Sequence, residues 1–216
     1  MIYTMKTYLV SAFTIIICFI MNGCASSFKA IDPRGAYYSN KLSDNNIDFS
    51  YQYDILRARG NKKYAKREDK KGIKVVAVKI TNRTGGDLVL GENYHIFSGS
   101  RQIDLLDPGI VYQQLKQGVA IYLLYMPLIF TTFTTYNTNS YGQMTVKSTP
   151  IGLVIGPGIT IGNMAVAGTA NANFKKELFT HTLINRKIAD GETVHALIAF
   201  QDYTFNPLSI KLKSSE

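Results

Sequence analysis

The sequence predicts a mainly β protein, an antiparallel β-sandwich interrupted by an apolar α-helical hairpin. Short segments of alternating apolar and polar residues, with turns at roughly 8–12-residue intervals, lie on both sides of the middle of the chain. Between them, Lys147 is the only charged residue from 117 to 174. With 216 residues, of which 46% are hydrophobic and 18% charged, the chain is long and apolar enough to form a core.

The first part of the sandwich is predicted from residues 47–108. Phe49, Tyr51 and Tyr53 alternate with polar residues, which is typical of a half-buried strand. Pro108 ends the last segment because proline has no N–H to donate to a neighbouring strand. Strands are predicted at 47–56, 73–81, 87–91, 93–97 and 102–108.

The second part is predicted from residues 176–216, with strands at 193–201 and 208–212. The stretch ADGETVHALIAF, residues 189–200, resembles the late strand pair of immunoglobulin-like domains in bacterial lipoproteins. In those domains a turn precedes a strand that carries an alternating apolar face. The resemblance implies an immunoglobulin-like sandwich formed by 47–108 and 176–216.

The N-terminus has the layout of a secretory signal. Lys6 supplies a positive charge, and an apolar run of about 14 residues follows at 8–21. That run is short for a membrane-spanning helix, which needs about 20 residues. We therefore expect residues 1–23 to be a signal peptide.

The apolar run ends in Met21-Asn22-Gly23-Cys24, which resembles a bacterial lipobox. The resemblance implies cleavage between Gly23 and Cys24, a diacylglycerol on the Cys24 thiol and a palmitate-type acyl chain on the new amino group. Cleavage would also remove Cys18, so Cys24 would be the only cysteine left and no internal disulfide could form. Residues 24–46 would then be a lipidated tether. Because no Asp follows Cys24, the resemblance favours the periplasmic face of the outer membrane.

The apolar insertion, residues 109–175, is predicted to fold as two helical arms at 112–134 and 150–172. Residues 118–135 would span about 27 Å as a helix, close to the roughly 30 Å hydrocarbon core of a bilayer. The second arm carries glycines at spacings that allow close helix packing. These predicted packing residues are Gly152, Gly156, Gly158, Gly162 and Gly168.

Three interpretations of the insertion stay open. The hairpin enters the membrane, or it packs in the domain core or in an oligomer interface, or the segment forms an apolar β-hairpin. A phosphate-binding loop at 156–162 is disfavoured because that motif requires a βαβ unit, and the surrounding strands are antiparallel.

Basic residues are concentrated between Arg57 and Lys79, where Glu68 and Asp69 are the only acids. This cluster accounts for most of the net charge of +9. It is either a solvated mobile loop or a contact for anionic lipid headgroups. Nucleic acid is not expected, because no base-stacking aromatic pattern accompanies the charges. The candidate headgroup contacts are Lys62, Lys63, Lys66, Arg67, Lys70 and Lys71.

No motif points to catalysis. His95, His181 and His195 have no paired metal-ligand spacing, and no nucleophile elbow occurs. We expect no enzyme, no cofactor and no metal.

The sequence predicts a non-catalytic envelope lipoprotein whose partners are membrane lipid and a second copy or an envelope protein. Its hairpin would contact the membrane or an oligomer partner, and its sandwich would bind a protein or ligand. The alternative is a periplasmic binding module whose hairpin is only core or oligomer interface.

Overall fold

A computed structural model describes residues 24–44 and 46–213. The predicted signal peptide, including Gly23, lies outside the described residues. The chain divides into two units. The apolar unit contains residues 24–26 and Gly118–Gly168, and the sheet unit contains residues 27–117 and 169–213.

Strands and helices alternate irregularly along the described chain. In order, they are a short 3-10 turn Pro33–Gly35, β1 Asn40–Asp44, β2 Ile47–Gln52, α1 Ile55–Ala58, α2 Lys62–Lys71, β3 Ile73–Asn82, β4 Leu88–Val89, β5 Tyr94–Ser98, β6 Arg101–Gln102, α3 Pro108–Leu115, a 3-10 segment Ala120–Phe130, β7 Phe133–Thr138, β8 Met144–Thr149, α4 Gly152–Thr180, β9 Lys187–Ile188, β10 Thr193–Gln201 and β11 Leu208–Leu212.

The fold is mixed rather than mainly β. Strands account for 31% of residues and helices for 35%, so neither dominates. Every pairing between these strands is antiparallel, as predicted. The additional helical content comes largely from two elements. Helix α2 lies where a loop was one expectation, and α4 continues beyond the predicted end at residue 172.

Two sheets of the sheet unit share one hydrophobic core. The first has the order β1-β2-β3-β10, and the second has the order β11-β5-β6. On the shared face of the first sheet, Ala196 pairs with Val78 and Ile198 pairs with Val76. These residues cluster with apolar residues of the second sheet, among them Tyr94, Ile96, Leu208 and Ile210.

The opposite face of the first sheet is covered by helices. Val75 and Ala77 of β3 and Leu197 of β10 belong to a second buried cluster. Helical residues complete it, namely Leu56, Tyr64, Val111, Leu115, Phe174 and Leu178. Because β3 and β10 are covered on both faces, their sequences are nearly continuous apolar runs rather than alternating ones.

Helix α2 occupies the basic cluster, so the prediction of a mobile loop there is wrong. Tyr64, Ala65 and Glu68 form its buried face. This three-residue face is narrow and lies among lysines, which made the helical period hard to recognise. Gly72 ends the helix at φ +62°, a left-handed conformation that favours glycine.

The prediction of a continuous helical arm at 112–134 is also wrong. Helix α3 ends at Leu115, and the chain continues as the 3-10 segment Ala120–Phe130. Pro127 lies inside that segment and has no N–H for the hydrogen bond of a regular α-helix. Between the two predicted arms, the chain forms the β7–β8 hairpin, whose turn is at 139–143.

A buried amide joins the two places where the chain leaves and re-enters the sheet unit. Asn171 Oδ1 accepts hydrogen bonds from Gln117 N at 2.7 Å and from Tyr64 Oη at 3.0 Å. Asn171 Nδ2 donates to Gln117 O at 2.9 Å. All three residues are buried, so these bonds replace water that the groups would otherwise need.

Replacing Asn171 with Ala is expected to lower the free energy of unfolding by roughly 2–5 kcal/mol, because both backbone groups of Gln117 lose their buried partner. Asn173→Ala is the matched control, since Asn173 is exposed on the same helix. Urea denaturation of the two variants measures the difference. Equal stabilities would show that the amide network does not hold this connection together.

Candidate functional site

The apolar unit exposes an unusual number of large hydrophobic side chains. Phe130 is 82% exposed, Val154 78% and Leu124 72%. Others exposed in the same unit are Ile121, Leu123, Met126, Phe133, Tyr136, Tyr141, Met144, Val146, Leu153, Ile155, Ile161 and Val166. A concentration of exposed apolar residues of this kind marks a surface that contacts lipid or protein.

Helix α4 is, among the residues that the structure describes, the one helix long and apolar enough to cross a membrane. Its best 18-residue window has a mean hydropathy of 1.4, and 22% of that window is buried. A core helix of a soluble domain would be mostly buried. The exposed apolar residues of α4 are therefore available to a partner.

The 3-10 segment packs against the start of α4 through two glycines. Gly152 N donates to Thr131 O at 2.8 Å, and a Cβ at Gly152 would overlap the carbonyl of Leu128. A Cβ at Gly156 would lie 2.8 Å from Ile129 N, closer than real Cβ contacts. These two glycines thus permit backbone contact within the apolar unit.

The other three glycines predicted to pack have open space around them. A Cβ at Gly158, Gly162 or Gly168 would meet no atom within 4 Å. The packing role therefore narrows to Gly152 and Gly156, because only the first turns of α4 reach the backbone of the 3-10 segment.

Polar side chains on the apolar part of α4 bond to the helix itself. Thr160 Oγ1 donates to Gly156 O at 2.8 Å, and Asn163 Nδ2 donates to Ile159 O at 2.8 Å. Such i→i−4 bonds satisfy the donors without water. This pairing suits a helix whose surroundings are apolar.

The β7–β8 hairpin has one apolar and one polar face. Tyr136 is paired with Val146, and Thr138 with Met144, so these side chains share a face. The opposite face is mainly polar, with Thr135, Asn137, Thr145 and Lys147, and it also carries Phe133 at the open end of the hairpin. The hairpin is thus amphipathic, and the only charge of 118–168 lies on its polar face.

Cys24 lies in the apolar unit and is exposed. The next residue is held there by a hydrogen bond of 2.6 Å from Ala25 N to Asn163 Oδ1. The predicted lipidation position and the exposed apolar side chains therefore belong to the same unit.

The segment predicted to be a tether makes specific contacts in the sheet unit. Lys29 exchanges hydrogen bonds of 2.8 Å with the side-chain amide of Asn61 through both its N–H and its C=O. Ile31 is fully buried, and its N–H donates to Glu177 at 3.1 Å. The Phe28 ring packs 5.3 Å from the Tyr64 ring. Residues 28–31 are thus held in place.

The predicted headgroup contacts all lie on α2. Lys62, Lys66 and Lys70 are exposed and follow one another at i→i+4 intervals, so they share a face. Lys71 is also exposed, whereas Lys63 is half-buried. Arg67 is half-buried and donates to the carbonyl of Lys116. We name the exposed set Lys62, Lys66, Lys70 and Lys71 the basic face.

Beneath α2 lies a buried carboxyl group that no sequence motif indicates. Glu68 is 1% exposed, and its Oε1 accepts from Val75 N at 2.6 Å. Its Oε2 has no hydrogen-bond partner among the described residues. Burial raises the pKa of Glu68 from 4.5 to about 8, and the bond from Val75 only partly offsets this. In the sequence, Glu68 looked like a surface acid among lysines.

The part of the chain that the structure describes contains no group of three or more His, Cys, Asp or Glu residues placed to hold a metal ion. His181 lies 3.8 Å from Glu177, and the His195 ring packs 6.0 Å from the ring of Tyr38. His95 is paired with Lys211 between β5 and β11. The three histidines therefore have separate structural surroundings.

Comparison of the chain with protein-family models, with curated proteins and with solved structures finds no match.

Gly156→Ala is expected to separate the 3-10 segment from α4, at a cost of about 1–3 kcal/mol, because the added methyl meets backbone. Gly158→Ala is the matched control, since it adds the same methyl to the same helix in open space. Hydrogen exchange of the amides at 120–131 is the measurement. The Gly156 variant should exchange faster there, and the Gly158 variant should not; identical exchange would contradict the packing role.

Glu68 should make the protein less stable as pH rises. Its folded pKa of about 8 exceeds the ordinary 4.5, so its contribution is complete below pH 4.5 and is lost between pH 4.5 and about 8. The loss is at most about 1.4 kcal/mol per pH unit. Urea unfolding of wild type and Glu68→Gln at pH 5, 6.5 and 8 tests this. The Gln variant should show the smaller decline, and parallel curves would contradict the assignment.

Proposed function

We propose that this protein is a non-catalytic lipoprotein of a bacterial cell envelope, anchored through acylated Cys24 on the periplasmic face of the outer membrane. The apolar unit contacts the same membrane, and the sheet unit, an immunoglobulin-like sandwich with a helical layer, binds a protein or ligand. One observation carries the proposal. Cys24 and the exposed apolar side chains lie in one unit, joined through the hydrogen bond from Ala25 to Asn163.

The composition of the apolar unit supports lipid as the partner. Large exposed side chains such as Phe130 and Val154 each gain about 1.5–3 kcal/mol when fully removed from water. The acyl chains of a lipidated cysteine add about 0.8 kcal/mol for each buried CH₂ group. Both contributions favour the same hydrocarbon environment, and no acidic residue in 118–168 opposes it.

The β7–β8 hairpin limits how deeply the unit can enter. A two-stranded sheet has unpaired backbone groups on both outer edges, and these cannot lie in hydrocarbon without a large cost. The hairpin belongs at the headgroup level, with Tyr136 and Val146 toward the lipid and Lys147 toward water. This favours shallow insertion over full crossing.

The basic face supports an additional contact with anionic headgroups. Its lysines are exposed and share one side of α2, as an electrostatic surface contact requires. Each lysine near an anionic membrane contributes about 1 kcal/mol, and this contribution weakens as salt increases.

The apolar contact is tested with the unlipidated mature chain, Cys24→Ser, mixed with neutral phosphatidylcholine vesicles. We expect it to float with the vesicles, and we expect Leu124→Ser with Val154→Ser to weaken flotation. Tyr37→Ser with Tyr203→Ser is the control, because these two side chains are equally exposed in the sheet unit. A Cys24→Ser protein that stays in solution as a discrete oligomer would contradict membrane contact and favour a second copy as the partner.

The lipid anchor is tested by mass spectrometry of the protein purified from bacterial membranes. The N-terminal peptide should begin at Cys24 and carry the mass of three acyl chains and glycerol. Cys24→Ser should lose this mass. An unmodified N-terminus that begins elsewhere would contradict the lipoprotein proposal.

The basic face is tested by Lys62→Gln, Lys66→Gln and Lys70→Gln together. Binding to vesicles with anionic lipid should weaken on the order of a hundredfold at low salt, and the salt dependence should decrease. The control combines Lys41→Gln, Lys176→Gln and Lys213→Gln, which remove the same charge from other exposed positions. Equal weakening in both triple variants would indicate net charge rather than a specific surface.

A further inference from the structure

We propose that Asn163 is a positioning residue that holds the acylated N-terminus against α4, so that the acyl chains and the apolar unit enter the membrane at one place. The inference rests on the proposed function, since it requires lipid on Cys24. It adds a defined role for a side chain that would otherwise only make an apolar helix more polar.

The bond from Ala25 to Asn163 is compatible with processing of the N-terminus. The donor is the N–H of the peptide between Cys24 and Ala25, which lies on the C-terminal side of the predicted cleavage. Acylation changes the Cys24 thiol and its α-amino group, and neither is the donor. The hydrogen bond can therefore exist in the mature lipidated protein.

The Asn163 side chain is oriented for this task. Its Nδ2 donates to Ile159 O within the same helix, which leaves Oδ1 directed at Ala25 N, 2.6 Å away. A serine or threonine could satisfy the Ile159 carbonyl equally well. The amide differs from a hydroxyl in having its donor and its acceptor on separate atoms, so Nδ2 bonds to the helix while Oδ1 bonds to the N-terminal segment.

The bond brings the acylation position close to the apolar surface. Consecutive Cα atoms are about 3.8 Å apart, so a fixed Ala25 keeps Cys24 beside α4. Exposed apolar residues occur near Asn163 along α4, namely Ile161 at 66% and Val166 at 42% exposure.

The acyl chains and the apolar unit are two membrane attachments, and each strengthens the binding of the other when they are held together. When the first attachment is bound, the second meets the membrane at a high effective concentration. Residues 28–31 are themselves held by Asn61 and Glu177, so few residues separate the acyl chains from fixed structure. Loss of the Asn163 bond would remove the contact of Ala25 with the apolar part of α4.

The test measures transfer of the lipidated protein between phosphatidylcholine vesicles. We expect lipidated Asn163→Leu to transfer several-fold faster than wild type, on the order of fivefold for one lost hydrogen bond. Combined with Cys24→Ser, the same substitution should leave flotation unchanged or stronger, because leucine is more apolar. Asn173→Leu is the control, an exposed asparagine on the same helix in the sheet unit.

Protection of the Ala25 amide from hydrogen exchange gives a second readout, which Asn163→Leu should remove and Asn173→Leu should preserve. If the Cys24→Ser protein does not bind vesicles at all, membrane contact itself is wrong. If it binds, but lipidated Asn163→Leu transfers at the wild-type rate with Ala25 still protected, only the positioning role is overturned. If Asn163→Leu weakens vesicle binding equally in the lipidated protein and in the Cys24→Ser protein, Asn163 has a structural role. That result would also overturn the positioning role.

Discussion

The buried amide of Asn171 is the contact on which the arrangement of the chain depends. An insertion of about fifty residues leaves the sheet unit after Gln117 and returns before Thr169. At that point the backbone of Gln117 must be buried without a strand or a helix to pair with it. Asn171 pairs with both its N–H and its C=O, and Tyr64 closes the network. The core can therefore continue across the insertion without an unpaired backbone group.

Helix α4 meets two opposite solvation requirements along its length. In the sheet unit it buries Phe174 and Leu178 in a conventional core. In the apolar unit its large side chains are exposed, while Thr160 and Asn163 bond back to their own helix. This combination of exposed apolar surface and internally satisfied polar groups is what an apolar partner requires. It gives the proposal of membrane contact a physical basis beyond hydropathy.

The N-terminal segment takes part in both units through short, specific bonds. Ala25 bonds to the apolar unit, and Lys29 and Ile31 bond to the sheet unit. The sequence predicts a lipidated tether at 24–46, but side-chain amides and a carboxylate elsewhere in the chain pair with its backbone at Ala25, Lys29 and Ile31. Those partners, Asn61, Asn163 and Glu177, are distant in sequence, so composition could not reveal them.

The local sequence pattern was sufficient to predict the two longest strands. The strand predicted at 193–201 is β10 at the same residues, and the strand predicted at 73–81 is β3 with one residue more. Both strands are rich in apolar residues, and β3 also in β-branched residues, as strands buried between packed layers are. The scarcity of charge over 117–174, where Lys147 is the only charged residue, likewise identified the apolar insertion, because it depends on composition alone.

Tertiary contacts decided the rest. Helix α2 has too narrow an apolar face to be evident without the sheet that it covers, and Glu68 became a buried acid only through that packing. The glycine stripe could not show which glycines meet backbone, since Gly152 and Gly156 differ from Gly158 only in what lies opposite them. Periodicity and composition report what a residue prefers locally. Contacts between residues that are distant in sequence form only in the tertiary structure, so local patterns cannot reveal them.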